Sequence, residues 1–426
     1  MRAHFVDRLL ADLEGAVSPI WITMMALTDE PPSAAVLRRA VWDVFESTAR
    51  FGVVWQGRWV PRRWSRQESD SVVVEHCERR PHQDFLHEIV AQPASLESAP
   101  AMRVHLAPVD VEGRALWAVA VQLHHALGDA RALGHVLDRL WRAAGGEPLS
   151  VDESPLVLMD DWEVLRWIGR HPRAALGLMD PQRRLLSRRA VALPRDGQRV
   201  GRPIHHGMVF GELASSSTRE LAEIFFAALL VQAALTHQGE SGCLRLRVPI
   251  DLSPQHGWRG VLGNTCMAVP LEFDVVAVRE RAEDAVAMRR LFSQTLGRAL
   301  AQDLPVTTAL ECLISARLVP TGTLRRGAGG GFTVSPRTNT MVTTHIGNLD
   351  AYFERAPFPL LGALSHTSTW GAHAWTLRGH MGLNVTAFEG LWRRQTLEDF
   401  AQGCARWIEA HGLGQRVGAG PLWEGV

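Results

Sequence analysis

The chain has 426 residues, is 46% hydrophobic, and balances 45 basic against 45 acidic residues. That length makes two or three domains, or one large two-lobed one, and the zero formal charge provides no global field for nucleic acid or an anionic membrane. There is no lysine: every basic residue other than histidine is arginine, and the arginines are scattered rather than clustered.

The N-terminal stretch MRAHFVDRLLADLEG carries charge throughout and lacks the apolar segment of a signal peptide. Residues 33–51 read as a helix, with Val36, Leu37, Ala40, Val41, Val44 and Phe45 at helical spacing and Ser33 as its N-cap. Residues 81–91 read as a shorter helix. The alternation of Met102, Val104 and Leu106 marks a strand over 102–109, and 115–123 reads as a more fully buried one, with Glu112-Gly113 as the turn between them. A helix then begins near Asp129, carries Leu133, Val136, Leu137 and Leu140 on one face, and ends between Trp141 and Gly145-Gly146.

Residues 145–203 are rich in Gly, Pro and Arg and read as a long crossover. The pattern then restarts, dividing the chain into a first lobe with the crossover, 1–185, and a second lobe, 186–426. The second half reads as a helix at 217–235, strands at 244–250 and 265–273, one long helix over 277–301, strands at 338–346 and 380–388, and a last helix at 396–411. The irregular alternation argues for α+β or mixed α/β lobes rather than a doubly wound sheet. The run at 224–235 is too short to span a bilayer, which needs roughly 20 apolar residues, so the expectation is a cytoplasmic protein without an integral membrane segment. The loop 321–332, with Arg325 and Arg326, is Gly-rich but has neither a GxGxxG nor a P-loop pattern, and a plain loop is the reading favoured.

The five cysteines are widely spaced, with no CxxC pair, and suggest reduced thiols rather than a zinc site or a disulfide framework. No G-x-S-x-G elbow is present. The stretch that carries chemistry is WAVAVQLHHALGDA, residues 117–130, where a buried strand ends in His124 and His125 and Asp129 follows. A neutral histidine fixed at a strand end is a good general base for a hydroxyl, amine or thiol. Adjacent strand residues point to opposite faces, so the two imidazoles do not converge on a metal; one faces a cavity and the other packs. Asp129 either orients the turn through an arginine or supports the imidazole directly. A second pair, His205-His206, has no acid at the same offset and reads as an ordinary structural pair.

HHALGDA resembles the HHxxxDG signature of the chloramphenicol acetyltransferase-like superfamily, which includes nonribosomal peptide condensation domains and the bacterial wax ester synthase/diacylglycerol acyltransferases. Residues 247–273, RVPIDLSPQHGWRGVLGNTCMAVPLEF, resemble the second-half signature of the wax ester synthase family. THIGNLD (344–350) and GLNVTAFEGLW (382–392) are similar to the family's later strand-loop and closing hairpin. Ala130 replaces the glycine of the motif, and the DFGWG motif of related acyltransferases is not found.

The resemblance implies two similar mixed-sheet lobes, with the active site in a tunnel at their interface. It implies His125 as general base beside His124, Asp129 as a structural acid paired with an arginine, for which Arg247 is the candidate, and Asn264 near the active site. It places Gly128, Thr344 and Asn348 at substrate-binding positions, Thr344 where some relatives stabilise an oxyanion. The implied reaction joins an acyl thioester, acyl-CoA or a phosphopantetheinyl carrier protein, to an alcohol or amine acceptor, with no metal and no permanently bound cofactor. Specialised metabolism is favoured. Lipid storage as a wax ester synthase, or a non-catalytic recruitment module, are the alternatives.

Overall fold

The computed structural model describes residues 21–48, 51, 53–56, 60–63, 72–92, 102–152, 161–173, 190–191, 193–196, 203–252, 263–318, 340–367, 371–417 and 421–422. The expected N-terminal segment, most of the crossover, and the loop at 321–332 lie outside these residues.

The strands are β1 (Trp21–Thr28), β2 (Val53–Gln56), β3 (Val60–Arg63), β4 (Val73–Glu75), β5 (Arg80–Pro81), β6 (Met102–Val111), β7 (Arg114–His124), β8 (Pro203–Gly211), β9 (Cys243–Asp251), β10 (Cys266–Asp274), β11 (Met341–Asn348), β12 (Gly362–Thr367), β13 (Gly371–Leu377), β14 (His380–Phe388) and β15 (Gln415–Arg416). The helices are α1 (Ala34–Ser47), α2 (His82–Ala91), α3 (Ala130–Ala144), α4 (Asp161–Gly169), α5 (Thr218–Thr236), α6 (Val275–Arg279), α7 (Ala285–Ala301), α8 (Leu304–Leu318), α9 (Asp350–Phe353) and α10 (Arg394–Ala410).

Two mixed sheets result. The first runs β12-β1-β7-β6-β4 and the second β10-β9-β11-β13-β14-β8-β15. Local chemistry sets many boundaries. Ser33 caps α1 by accepting the Val36 N–H at 3.3 Å. Glu112 and Gly113 both take positive φ, 52° and 81°, the two-residue turn that suits a tight hairpin. The stretch read as one helix over 277–301 is two, because Asp284 accepts the Ala287 N–H at 2.9 Å and starts α7 afresh.

Helices α1 and α3 cover one face of the first sheet and α2 the other. Helices α5, α7 and α10 cover the outer face of the second sheet. The expected boundary at 185/186 falls outside the described residues, and the two halves do not separate there as two independent sheets. Strand β12, from the second half, pairs antiparallel with β1 as the edge of the first sheet. Val209, Leu349, Phe353, Trp375 and Leu377 join the core beneath α1 and α3. The lobes therefore share a core along the seam where β12 crosses. No helix among the described residues is long and apolar enough to cross a membrane.

Candidate active site

Strand β7 ends at His124, and the chain turns at once into α3. His124 is fully buried; its Nδ1 accepts the Ala126 N–H at 3.1 Å, and its ring meets Trp21 edge-on at 5.4 Å. It shapes the turn. His125 is half-buried on the other side of the strand end.

Asn264, at the entry to β10, holds His125 by two bonds. Its Nδ2 donates to the His125 carbonyl at 2.8 Å, and its Oδ1 lies 3.1 Å from His125 Nδ1. A carbonyl can only accept, so the first bond fixes which end of the amide is nitrogen. Oδ1 then faces the ring and requires a proton on Nδ1. In the neutral imidazole the lone pair is on Nε2, which has no protein partner among the described residues.

Asp129 is 4% exposed and uses both carboxylate oxygens. Oδ1 caps α3 by accepting the Arg131 and Ala132 N–H groups at 3.0 and 3.1 Å. Oδ2 accepts the Thr265 N–H at 2.8 Å, the Thr265 hydroxyl at 3.0 Å and the Cys266 N–H at 3.1 Å. One carboxylate thus bolts the start of α3 to the start of β10 in the other half of the chain. This corrects the expectation of an arginine partner. Arg247 is on β9 among Glu311, Cys312 and Arg245, and the five donors around Asp129 are backbone amides and a hydroxyl. The nearby Arg131 pairs instead with Asp251, a second tie between the lobes.

Gly128 is confined by α3: a Cβ there would stand 2.3 Å from the Ala132 Cβ. Thr344 lines a narrow cavity between β1, α3, β11 and β12, together with Ala130, Thr23, Ser365 and His366. The cavity has about 20 Å³ of free volume, room for roughly one or two waters. Asn348 does not share it. The residue is exposed, and its Oδ1 accepts the Asp350 N–H at 2.8 Å, the bond that turns β11 into α9. Sequence reasoning did not find Thr23, Ser365, His366, Thr265 or Cys266, since β1 and β12 carry no motif and the last two act through backbone amides or a hydroxyl.

Cys266 and Cys312 are poor nucleophiles. Burial first, and then the Asp129 carboxylate, push the Cys266 thiol well above its ordinary value, and burial pushes Cys312 up to about 11. Among the described residues no group of three or more metal-ligating side chains is placed to hold a metal ion.

A trichothecene 15-O-acetyltransferase from Fusarium sporotrichioides has a similar structure, with a TM-score of 0.66 at 9% identity over 96% of this chain and 95% of that one. A cyclization-docking bidomain of a nonribosomal peptide synthetase from Sorangium cellulosum gives 0.65 at 12% identity, over 96% of this chain and 84% of that one. The starter condensation domain of rhizomide synthetase gives 0.56 at 12% identity, over 100% and 98%. The fold is chloramphenicol acetyltransferase-like. No protein-family model matches the chain, and no curated protein sequence matches it. The likeness to wax ester synthases stays with the sequence motifs alone.

Proposed function

We propose that the chain is an acyltransferase that joins an acyl thioester to a hydroxyl or amine acceptor, with His125 as general base. The observation that carries this is the double grip of Asn264 on His125, which leaves the Nε2 lone pair as the basic site. Nε2 takes the acceptor's proton as its oxygen or nitrogen attacks the thioester carbonyl. The tetrahedral intermediate collapses, the carbon–sulfur bond breaks, and the imidazolium returns the proton to the departing thiolate. Asn264 Oδ1 faces the Nδ1–H throughout, so the ring keeps its orientation in both protonation states. His124 supports the turn and does not exchange protons. The Thr344 hydroxyl is the candidate donor to the oxyanion.

The donor is acyl-CoA or a carrier-protein thioester, and the setting is specialised metabolism. Support comes from the similar structures, two parts of nonribosomal peptide synthetases and one trichothecene acetyltransferase. The test is release of free thiol from acyl-CoA, and loss of acyl mass from a loaded carrier protein, against a panel of alcohols and amines. Acceptor-dependent turnover supports the reading.

The narrowness of the cavity favours one other reading, a non-catalytic module that recruits a carrier protein. Capture of the carrier by this chain, with every transfer assay blank, would select it.

A further inference from the structure

The face of the second sheet that meets the first lobe is polar where a core is normally apolar. Cross-strand register puts Thr344, His373, Asn384 and Gly207 in one row, and Val342, Gly371, Thr386 and His205 in the next row on the same face. Strand β12 crosses over this face. Asn384 Nδ2 donates to the Ser365 carbonyl, and a Cβ on Gly207 would press on Leu364 Cδ2 at 2.6 Å. The His366 ring meets His205 edge-on at 5.7 Å, and His205 meets His87 of α2 at 4.7 Å.

Five of these residues are sealed from solvent: His205 is 3% exposed, and Ser365, His366, Asn384 and Thr386 are each 1% exposed. Both ring nitrogens of His205 and of His366, with Ser365 Oγ, Asn384 Oδ1 and Thr386 Oγ1, have no hydrogen-bond partner among the described residues. An unpaired buried polar atom costs more than a made hydrogen bond returns. Native cores hold few of them, and seven gather at this seam.

The chemistry of the seam selects its partner. His205 is surrounded by His87, His366, His82 and His206, and His366 by His373 and His87; among the described residues no carboxylate or guanidinium acts on either ring. Burial holds both rings neutral. A neutral imidazole offers one donor and one acceptor, the amide oxygen accepts, and the hydroxyls do both. Among the described residues an anion would meet no cation here and a cation no carboxylate, and an alkyl chain would leave the polar atoms unpaired. An uncharged group carrying hydroxyls or amides satisfies them. Ser365 and His366 also line the cavity that Ala130 and Thr344 bound, so the seam adjoins that cavity, whose lining reaches Ala130 beside Asp129 but not His125.

We propose that this histidine-lined seam is a subsite for an uncharged, hydroxyl- or amide-bearing segment of the acceptor, an assignment that rests on the acyl-transfer reading above. It sets the acceptor apart from a long-chain alcohol.

The test uses the full-length protein labelled with 15N-histidine, with glycerol as probe and 1-propanol, sodium acetate and choline chloride as controls. Ring-nitrogen signals are assigned by their loss in His205→Phe and His366→Phe. The expected result is a saturable shift of the His205 and His366 nitrogens with glycerol, a weaker one with 1-propanol, which carries a single hydroxyl, and none with acetate or choline. Where the Phe variants do not fold, Ser365→Ala serves, raising the half-saturating glycerol concentration by about two- to tenfold, the worth of one hydrogen bond. No response to glycerol, an equal response to 1-propanol or acetate, or an unchanged half-saturation in Ser365→Ala overturns the subsite. The titration needs no turnover. Acyl transfer with a silent seam rejects the subsite alone, whereas a responding seam without acyl transfer rejects the enzymatic reading and leaves the binding chemistry.

Discussion

Asn264 and His125, far apart in the chain and from different sheets, grip each other twice: amide nitrogen to backbone carbonyl at 2.8 Å, and amide oxygen to ring Nδ1 at 3.1 Å. The first bond sets the tautomer through the second. Where other histidine bases are oriented by a carboxylate, an uncharged amide would orient the base proposed here, adding no negative charge beside the imidazolium of the proposed mechanism.

Replacing Asn264 should therefore impair catalysis more than folding. Asn264→Ala frees the ring to rotate and to take either tautomer. The expected outcome is a fall in acyl transfer of about 10- to 1,000-fold, within the range a positioned base contributes, with the melting temperature little changed. Single-turnover kinetics and a thermal scan of the same preparation check it. A rate within twofold of the parent would show that the amide does not position the base.

Asp129 should behave in the opposite way. Its five hydrogen bonds join α3 to β10, so Asp129→Ala strands backbone donors of both elements. The expected loss is roughly 3–5 kcal/mol, the scale for breaking a buried charged network, measured by urea unfolding. The folded fraction should keep the parent's pH–rate profile. A shifted profile without lost stability would make Asp129 a partner of the base rather than a bolt between lobes.

Gly128→Ala tests the tight entry to α3. A Cβ 2.3 Å from that of Ala132 forces the first helical turn outward, and overpacking of this kind costs about 1–3 kcal/mol. Unchanged stability would mean that the turn has slack.

Acid should destabilise the protein through its buried histidines. Burial lowers His105 to about 3 and His345 and His373 to about 4, whereas the same groups titrate near ~6.5 in an unfolded chain. Between these limits the unfolded chain binds protons that the folded one refuses, so stability is complete above about pH 6.5 and falls as pH is lowered towards 4. The urea midpoint should drop steeply from pH 7 to pH 5. His345→Leu should flatten that slope by about one proton, roughly 1.4 kcal/mol per pH unit. A midpoint independent of pH in the parent would contradict the buried, neutral state.

Much of the frame was legible because local chemistry writes it. Ser33 and Asp129 announce helix starts, Glu112-Gly113 announces a hairpin, and the alternation of β6 and β7 gives both strands. The HH–Asp pattern pointed to the candidate site. What the sequence hid is long-range. Gly362–Thr367 has six residues and no distinctive pattern, and it becomes the edge of the first sheet only because β1 offers it an antiparallel partner. The partners of Asp129 are mostly backbone amides, which no side-chain pattern reveals, so an arginine was expected in their place. His205 looked bland because its neighbours, His87 and His366, come from opposite ends of the chain.

The proposed acyl transfer requires His125 Nε2 to remove the acceptor's proton. The most direct measurement is acyl loss from a loaded carrier protein and from acyl-CoA, followed by intact-mass spectrometry and thiol release, for the parent, His125→Ala and His124→Ala. Acceptor-dependent transfer is expected from the parent and no detectable product from His125→Ala, whose circular dichroism and melting temperature stay close to the parent's. His124→Ala should instead lose stability and retain transfer in proportion to the fraction folded. Transfer by His125→Ala at a rate close to the parent's would contradict that requirement.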